Sequence, residues 1–152
     1  MKIYTLISKM ILPVSMETCW NYFSDPKNLQ EITPPDMHFK IISEPSGKMY
    51  PGQIIPYRIK IFPMISVSWV TEITHVKDYE YFVDEQRFGP YKFWHHRHSF
   101  KETGSGIEMT DLVHYAIPFG IIGRLAHKLI IKKKLKNIFD FRTAKLKAEF
   151  HQ

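Results

Sequence analysis

The sequence has little of what several protein classes require. Its 152 residues include one cysteine, Cys19, so no disulfide framework is available and nothing demands an oxidising compartment. The seven glycines and ten prolines have no periodicity, which excludes collagen-like and other fibrous classes. The longest uncharged stretches, residues 61–71 and 112–123, contain proline and are shorter than the ~18 apolar residues that a membrane-spanning helix needs.

Several enzyme motifs are missing as well. The sequence has no glycine-rich phosphate loop, no dinucleotide fingerprint, no Cys-x-x-Cys pair and no Ser-His-Asp order of a nucleophilic hydrolase. Residues 1–12 are apolar but contain Lys9 and lack a small-residue cleavage site, so we interpret them as a strand and not as a signal peptide. We therefore expect a cytoplasmic protein with a single domain over residues 1–152, since 44% hydrophobic residues suffice for a folded core.

The positive charge is concentrated near the C-terminus. The formal net charge is +6, and residues 118–152 contribute +7 through nine basic and two acidic side chains. A local basic patch is formed by Lys128, Lys132, Lys133, Lys134 and Lys136. Such a run is typical of a solvated helix face. The alternative is transient contact with an anionic membrane surface, and nucleic acid is the less favoured partner.

Residue patterns predict an α+β order of elements. Residues 2–12 form a strand, and two short helices follow it, with Ser15 and Asp25 as their N-caps. Six further strands are predicted from β-branched and aromatic residues, at 37–43, 53–61, 66–76, 80–88, 91–102 and 107–117, separated by turns such as 45–47. Residues 119–150 lack proline and predict a long helix, which must cover one face of the antiparallel sheet.

The predicted terminal helix has an apolar stripe with a conflict in its phase. The stripe contains Ile121, Leu125, Leu135, Phe139, Leu146 and Phe150. Lys128 and Lys132 project onto the same side. Either the helix kinks near residues 126–130 or these lysines snorkel along the opening of a groove, and the kink is the favoured interpretation.

A resemblance to a known superfamily lies in the first predicted helix and the turn after it. The matching residues are Trp20, Phe23, Ser24, Asp25, Pro26, Asn28 and Leu29. Their spacing after a first strand resembles the opening motif of the START/polyketide-cyclase (SRPBCC) superfamily, whose members include the major pollen allergens and steroidogenic lipid-transfer domains. Residues 89–100 and 109–120 resemble a bacterial ligand-binding branch of the same superfamily.

The resemblance implies a helix-grip fold, in which a curved antiparallel sheet of about seven strands wraps around a long C-terminal helix. It also implies a cavity between sheet and helix for a hydrophobic or amphipathic small molecule, such as a lipid, a polyketide or an aromatic compound. A carrier or sensor is the favoured function, and a cyclase or dehydratase is the alternative because the superfamily also contains aromatase/cyclases. We expect no cofactor.

The histidine-rich strand supplies the candidate site. Alternation places Trp94, His96, His98 and Phe100 on one face, and residues 103–106 are typical of a two-residue hairpin turn. That turn sets His98 opposite Asp111. The other facing residues of the next strand are Met109, Val113 and Tyr115. Because this face is mostly apolar, we predict that it lines the cavity, and we add Trp69, Leu125 and Phe139 to the ligand-binding set.

The polar side chains on this face allow three interpretations. A His98–Asp111 hydrogen bond can be purely structural, because buried polar groups need partners. His96, His98, Asp111 and Tyr115 can anchor a ligand. Chemistry is the third interpretation, through a His98–Asp111 dyad assisted by His96 or through a metal held by two imidazoles and a carboxylate. No metal is predicted, because the sequence identifies no acceptor for the second nitrogens of the imidazoles.

Overall fold

The fold is built on one antiparallel sheet, in a computed structural model that describes residues 1–43 and 47–150. The strands in chain order are β1 Tyr4–Leu12, β2 Lys40–Ile41, β3 Gln53–Phe62, β4 Ile65–Lys77, β5 Tyr81–Phe88, β6 Phe93–Thr103 and β7 Gly106–Ala116. Their order in the sheet is β1-β7-β6-β5-β4-β3-β2. The predicted seven-stranded antiparallel sheet is confirmed. The turn predicted at residues 45–47 lies largely outside the described residues.

Short helical elements connect β1 to the rest of the sheet. Helix α1 spans Met16–Phe23, and 3-10 turns follow at Pro26–Gln30 and Pro35–Met37. Ser15 Oγ accepts a hydrogen bond from the Thr18 amide at 3.1 Å. Asp25 Oδ1 accepts one from the Lys27 amide at 3.0 Å. Both predicted N-caps are therefore confirmed, because each satisfies an amide that the helix itself leaves free.

The strand predicted at residues 37–43 is wrong in length. Strand β2 covers only Lys40–Ile41, with one further hydrogen bond from the Ile42 amide to the Pro56 carbonyl of β3. At Met37 the chain is still in the second 3-10 turn. His38 then has a left-handed backbone with a φ of 43°, which interrupts an extended conformation. Extended pairing therefore begins at Lys40, three residues after the predicted start.

The terminal helix is interrupted where the kink was predicted. Helix α2 spans Gly120–Ala126, a π-helical turn spans His127–Ile131, and helix α3 spans Lys132–Phe150. A π turn inserts residues into the α repeat and shifts the phase of the residues that follow. Leu135, Phe139 and Leu146 are buried after the turn. Ile121 and Leu125 before it are exposed, so the predicted single stripe is wrong at these two positions.

No helix among the described residues is long and apolar enough to cross a membrane.

The core is divided into packed groups around the sheet. Trp20 and Phe23 of α1 pack against Phe100 and Met109, and Leu146 of α3 joins them. A second group lies on β3 and β4 around Trp69. Leu146 in the first group and Ile138, which packs against the second, hold α3 above the sheet.

Candidate ligand-binding cavity

A cavity of about 580 Å³ lies between the sheet and the terminal helix. Strands β3 to β6 form one wall, and Leu135, Ile138 and Phe139 of α3 contribute to the opposite wall. Most of the lining residues are apolar or aromatic, including Ile55, Tyr57, Ile59, Trp69, Ile73, Phe82, Tyr91 and Trp94. The volume falls within the ~300–1,000 Å³ of small-molecule sites.

The structure divides the predicted ligand-binding residues into two sets. Trp69, Trp94, His96, His98 and Phe139 line the cavity. The other residues of the predicted set, which are not on its wall, are Phe100, Met109, Asp111, Val113, Tyr115 and Leu125. All of these except Leu125 are buried, because α1 covers Phe100 and Met109 while Leu135 and Phe139 cover Val113 and Tyr115. Leu125 is 58% exposed, before the π turn.

The predicted pairing of the histidine strand is confirmed. The β6–β7 ladder places His98 opposite Asp111, His96 opposite Val113, and Phe100 opposite Met109. His96, His98 and Asp111 are all buried. The hairpin turn fixed this register, so the inward face of both strands could be predicted from the sequence.

The polar cluster is larger than the predicted dyad, because Asp84 of β5 belongs to it. His98 Nε2 lies 2.8 Å from Asp84 Oδ2, and His96 Nε2 lies 2.8 Å from Asp111 Oδ1, both with hydrogen-bond geometry. The other nitrogen of each imidazole, Nδ1, faces the other carboxylate. His96 Nδ1 is 3.3 Å from Asp84 Oδ2, and His98 Nδ1 is 2.9 Å from Asp111 Oδ1 without the alignment of a hydrogen bond. The expected His98–Asp111 hydrogen bond is therefore replaced by a four-residue network.

The network perturbs the protonation of its members. Burial by itself would raise the pKa of Asp84 and of Asp111, but the hydrogen bonds and charges of His96 and His98 outweigh burial and hold both pKa values below their usual range. Burial would lower the pKa of His96, but the two carboxylates raise it instead. Both carboxyl groups are therefore ionised at neutral pH, and His96 retains a proton more readily than a free imidazole.

Arg142 of α3 brings a cation to the same end of the cavity. Its guanidinium is buried and lines the cavity, with Nη1 3.7 Å from Asp111 Oδ1. Within the described part of the chain, its Nε and Nη1 atoms have no hydrogen-bond partner. A buried guanidinium with unused donors is costly unless a further acceptor reaches it.

Sequence reasoning missed both Asp84 and Arg142. Arg142 lies on the same helix face as Leu135, Phe139 and Leu146, as their spacing in the sequence shows. A cation on this apolar face could have indicated that Arg142 points into the core. Asp84 shares the inward face of β5 with the buried Phe82. Its partners, however, could not be identified before the register of β5 against β6 was known.

The fold is similar to several solved structures. Protein CV1439 from Chromobacterium violaceum matches with a TM-score of 0.73 and 12% identity over 97% of each chain. The di-domain ARO/CYC StfQ of the steffimycin biosynthetic pathway matches with a TM-score of 0.71 and 12% identity, over 98% of this chain and 51% of that one. Thalictrum flavum norcoclaurine synthase has a TM-score of 0.64 and 12% identity, over 97% and 96% of the two chains. This chain has the helix-grip fold.

The helix-grip fold predicted from the motif at residues 20–29 is thus confirmed. Identities of 12% establish the common fold alone. No protein-family model and no curated protein matches the sequence significantly.

Proposed function

We propose that the protein binds a hydrophobic or amphipathic small molecule in the cavity, as a carrier or sensor. The observation that carries the proposal is a mostly apolar cavity of about 580 Å³ with Asp84, His96, His98 and Arg142 in its wall. A lipid, a polyketide or an aromatic compound has the required size and polarity. The proposal agrees with the ARO/CYC protein StfQ among the solved structures that share the fold.

The polar group of this ligand is expected to contact Arg142. The guanidinium has free donors at Nε and Nη1, and most of the other residues that line the cavity are apolar. A carboxylate, hydroxyl or carbonyl oxygen at this place would satisfy those donors. An amphipathic ligand therefore fits the cavity better than a pure hydrocarbon.

Displacement of a fluorescent fatty acid tests the proposal. Ile55 on β3 lines the cavity, whereas its neighbour Ile54 points away and is 51% exposed. Ile55→Trp should reduce the affinity for the probe at least ~10-fold, because the indole occupies ligand space, while Ile54→Trp should leave it unchanged. Thermal melting of both variants verifies folding. Failure of the wild-type protein to bind any apolar probe, or equal binding by both variants, would contradict the proposal.

The mouth of the cavity suggests how the ligand is exchanged. Phe119 and Ile122 line the cavity and are 80% and 77% exposed. Exposed apolar residues continue along the helix at Ile121, Leu125, Leu129 and Ile130. They lie among Arg124, Lys128, Lys132 and Lys133, which are also exposed. Apolar residues within a basic segment fit the interface of an anionic membrane, so we propose transient docking there from the cytoplasm, where the anionic leaflet lies.

Co-sedimentation with vesicles tests this docking. Phosphatidylserine-containing vesicles should retain the protein and pure phosphatidylcholine vesicles should not, with retention falling as salt rises. Ile121→Glu should abolish retention. The matched control is Ile7→Glu, an exposed isoleucine on the outer face of β1, which should have no effect. Equal retention of both variants would refute this docking surface.

A cyclase- or dehydratase-type enzyme is the competing function. It is favoured by the contact of both imidazoles with ionised carboxylates on or beside the cavity wall, an arrangement that can hold and release protons. Mass spectrometry of a polyketide-like substrate incubated with wild-type protein and with His98→Ala decides this alternative. Conversion that depends on His98 supports an enzyme, whereas conversion that survives His98→Ala removes the network from the chemistry.

A further inference from the structure

Three potential metal ligands converge on one point of the cavity wall. Asp84, His96 and His98 each offer one atom, and these three atoms lie within 4.8 Å of one another. Asp84 Oδ2 lies 3.3 Å from His96 Nδ1 and 2.8 Å from His98 Nε2. All three residues line the cavity, so the side of the cluster away from the protein wall is open.

A second carboxylate lies behind the histidines, where a metal site needs one. Metal-bound imidazoles usually donate their other N–H group to a carboxylate or carbonyl, which fixes the orientation of the ring. Asp111 Oδ1 lies 2.8 Å from His96 Nε2 with hydrogen-bond geometry and 2.9 Å from His98 Nδ1 without it, and Asp111 is fully buried outside the cavity wall. Trp94 Nε1 donates to the other oxygen of Asp84 at 3.3 Å and orients that carboxylate too.

The contacts of the two rings also leave a place for a cation beside Asp84. Each imidazole contacts a carboxylate oxygen with both of its nitrogens. A divalent cation bound by Asp84 Oδ2, His96 Nδ1 and His98 Nε2 would leave His96 Nε2 and His98 Nδ1 facing Asp111 Oδ1.

We propose that Asp84, His96 and His98 bind a divalent transition-metal ion at the cavity wall, with Asp111 holding the two imidazoles from behind. Two histidines and one carboxylate suit zinc or non-haem iron and leave coordination positions for water or a ligand oxygen. For bonds of ~2.1 Å, the ligand atoms of a tetrahedral site lie ~3.4 Å apart. The Asp84–His96 separation of 3.3 Å already fits, and the Asp84–His98 separation of 2.8 Å must lengthen slightly.

Calorimetric titration with Zn²⁺ alone tests the site on the full chain. The wild-type protein should bind one ion, and His98→Gln should lower the affinity more than ~100-fold because it removes a ligand. Asp111→Asn should lower it ~10–100-fold by releasing the imidazoles. The matched control is His95→Gln, since His95 lies on the opposite face of β6 and should not affect binding. No binding by the wild-type protein, or equal affinity in His98→Gln, would overturn the proposal.

X-ray absorption of the zinc-loaded wild-type protein gives a test that needs no variant. Two imidazoles in the coordination sphere are expected, and none, one or more than two would contradict the assignment. The titration contains no apolar ligand, and the probe-displacement experiment can be run in chelator. Failure of the metal site is therefore distinguishable from failure of the cavity to bind a small molecule.

Discussion

Asp111 is the residue whose replacement tests most directly how the polar network is held inside the apolar core. Its side chain is fully buried, and Oδ1 contacts His96 and His98 at 2.8 and 2.9 Å. The guanidinium of Arg142 lies 3.7 Å from the same oxygen. Asp111→Asn retains the shape of the side chain but removes the charge, so the buried guanidinium loses its nearest compensating anion and His96 must donate to an amide.

Removal of one partner from a buried ion pair destabilises a protein by about 3–5 kcal/mol, because the remaining charge stays buried without compensation. Asp111 interacts with three groups, and we therefore expect the loss of unfolding free energy to lie within that range and not below it. For a chain of 152 residues, each kcal/mol corresponds to roughly 2–4 °C in Tm. The expected decrease in Tm is thus about 6–20 °C.

The assay is calorimetry in the presence of chelator, with urea unfolding as a second measure of the free energy. Glu108→Gln is the matched control, because Glu108 lies on the same strand but forms a partly exposed pair with Lys9 at 3.5 Å. Such a pair contributes at most about 1 kcal/mol. If the Tm of Asp111→Asn falls within ~2 °C of that of Glu108→Gln, the network does not hold the core and the reasoning is refuted.

Two further predictions concern single residues away from the network. Cys19 is fully buried, and burial raises the pKa of its thiol to about 12. Iodoacetamide at pH 8 should therefore not label the folded protein, whereas the protein unfolded in urea should be labelled. Rapid labelling without urea would contradict the packing of α1. Gly106 has a φ of +124°, and a Cβ there would lie 2.2 Å from a backbone oxygen of β1, so Gly106→Ala should lower the unfolding free energy by more than ~1 kcal/mol. Gly104→Ala, with open space around the added Cβ, is its control in the same urea titration.

The sequence was sufficient to predict those parts of the fold that depend on residues close to one another in the chain. The two N-caps and the two-residue hairpin turn each involve residues within four positions of one another, and all three are confirmed. The turn also allowed the β6–β7 register to be predicted, because it determines which residues of the two strands face each other. The strand predicted at residues 37–43 failed because a left-handed residue, His38, is not encoded by hydrophobic alternation.

The candidate site could be predicted only as far as that hairpin extends. His96, His98 and Asp111 lie on β6 and β7, whereas Asp84 joins them from β5. The connection from β5 to β6 covers residues 89–92, and a loop of this length does not select one register as a two-residue turn does. Arg142 reaches Asp111 from the terminal helix, and that contact depends on how the helix is seated on the sheet.

The helix is also held to the sheet by a buried contact at the π turn. His127 is the first residue of that turn, and its Nε2 makes a 2.8 Å hydrogen bond with the hydroxyl of Tyr115 on β7, while the ring of Tyr4 stacks on it at 3.6 Å. Burial, Lys132 and Lys2 lower the pKa of His127, so it is neutral when it makes this contact. His127 therefore ties the helix to β7 and β1, between the exposed apolar residues of α2 at the mouth and the residues of α3 that line the cavity.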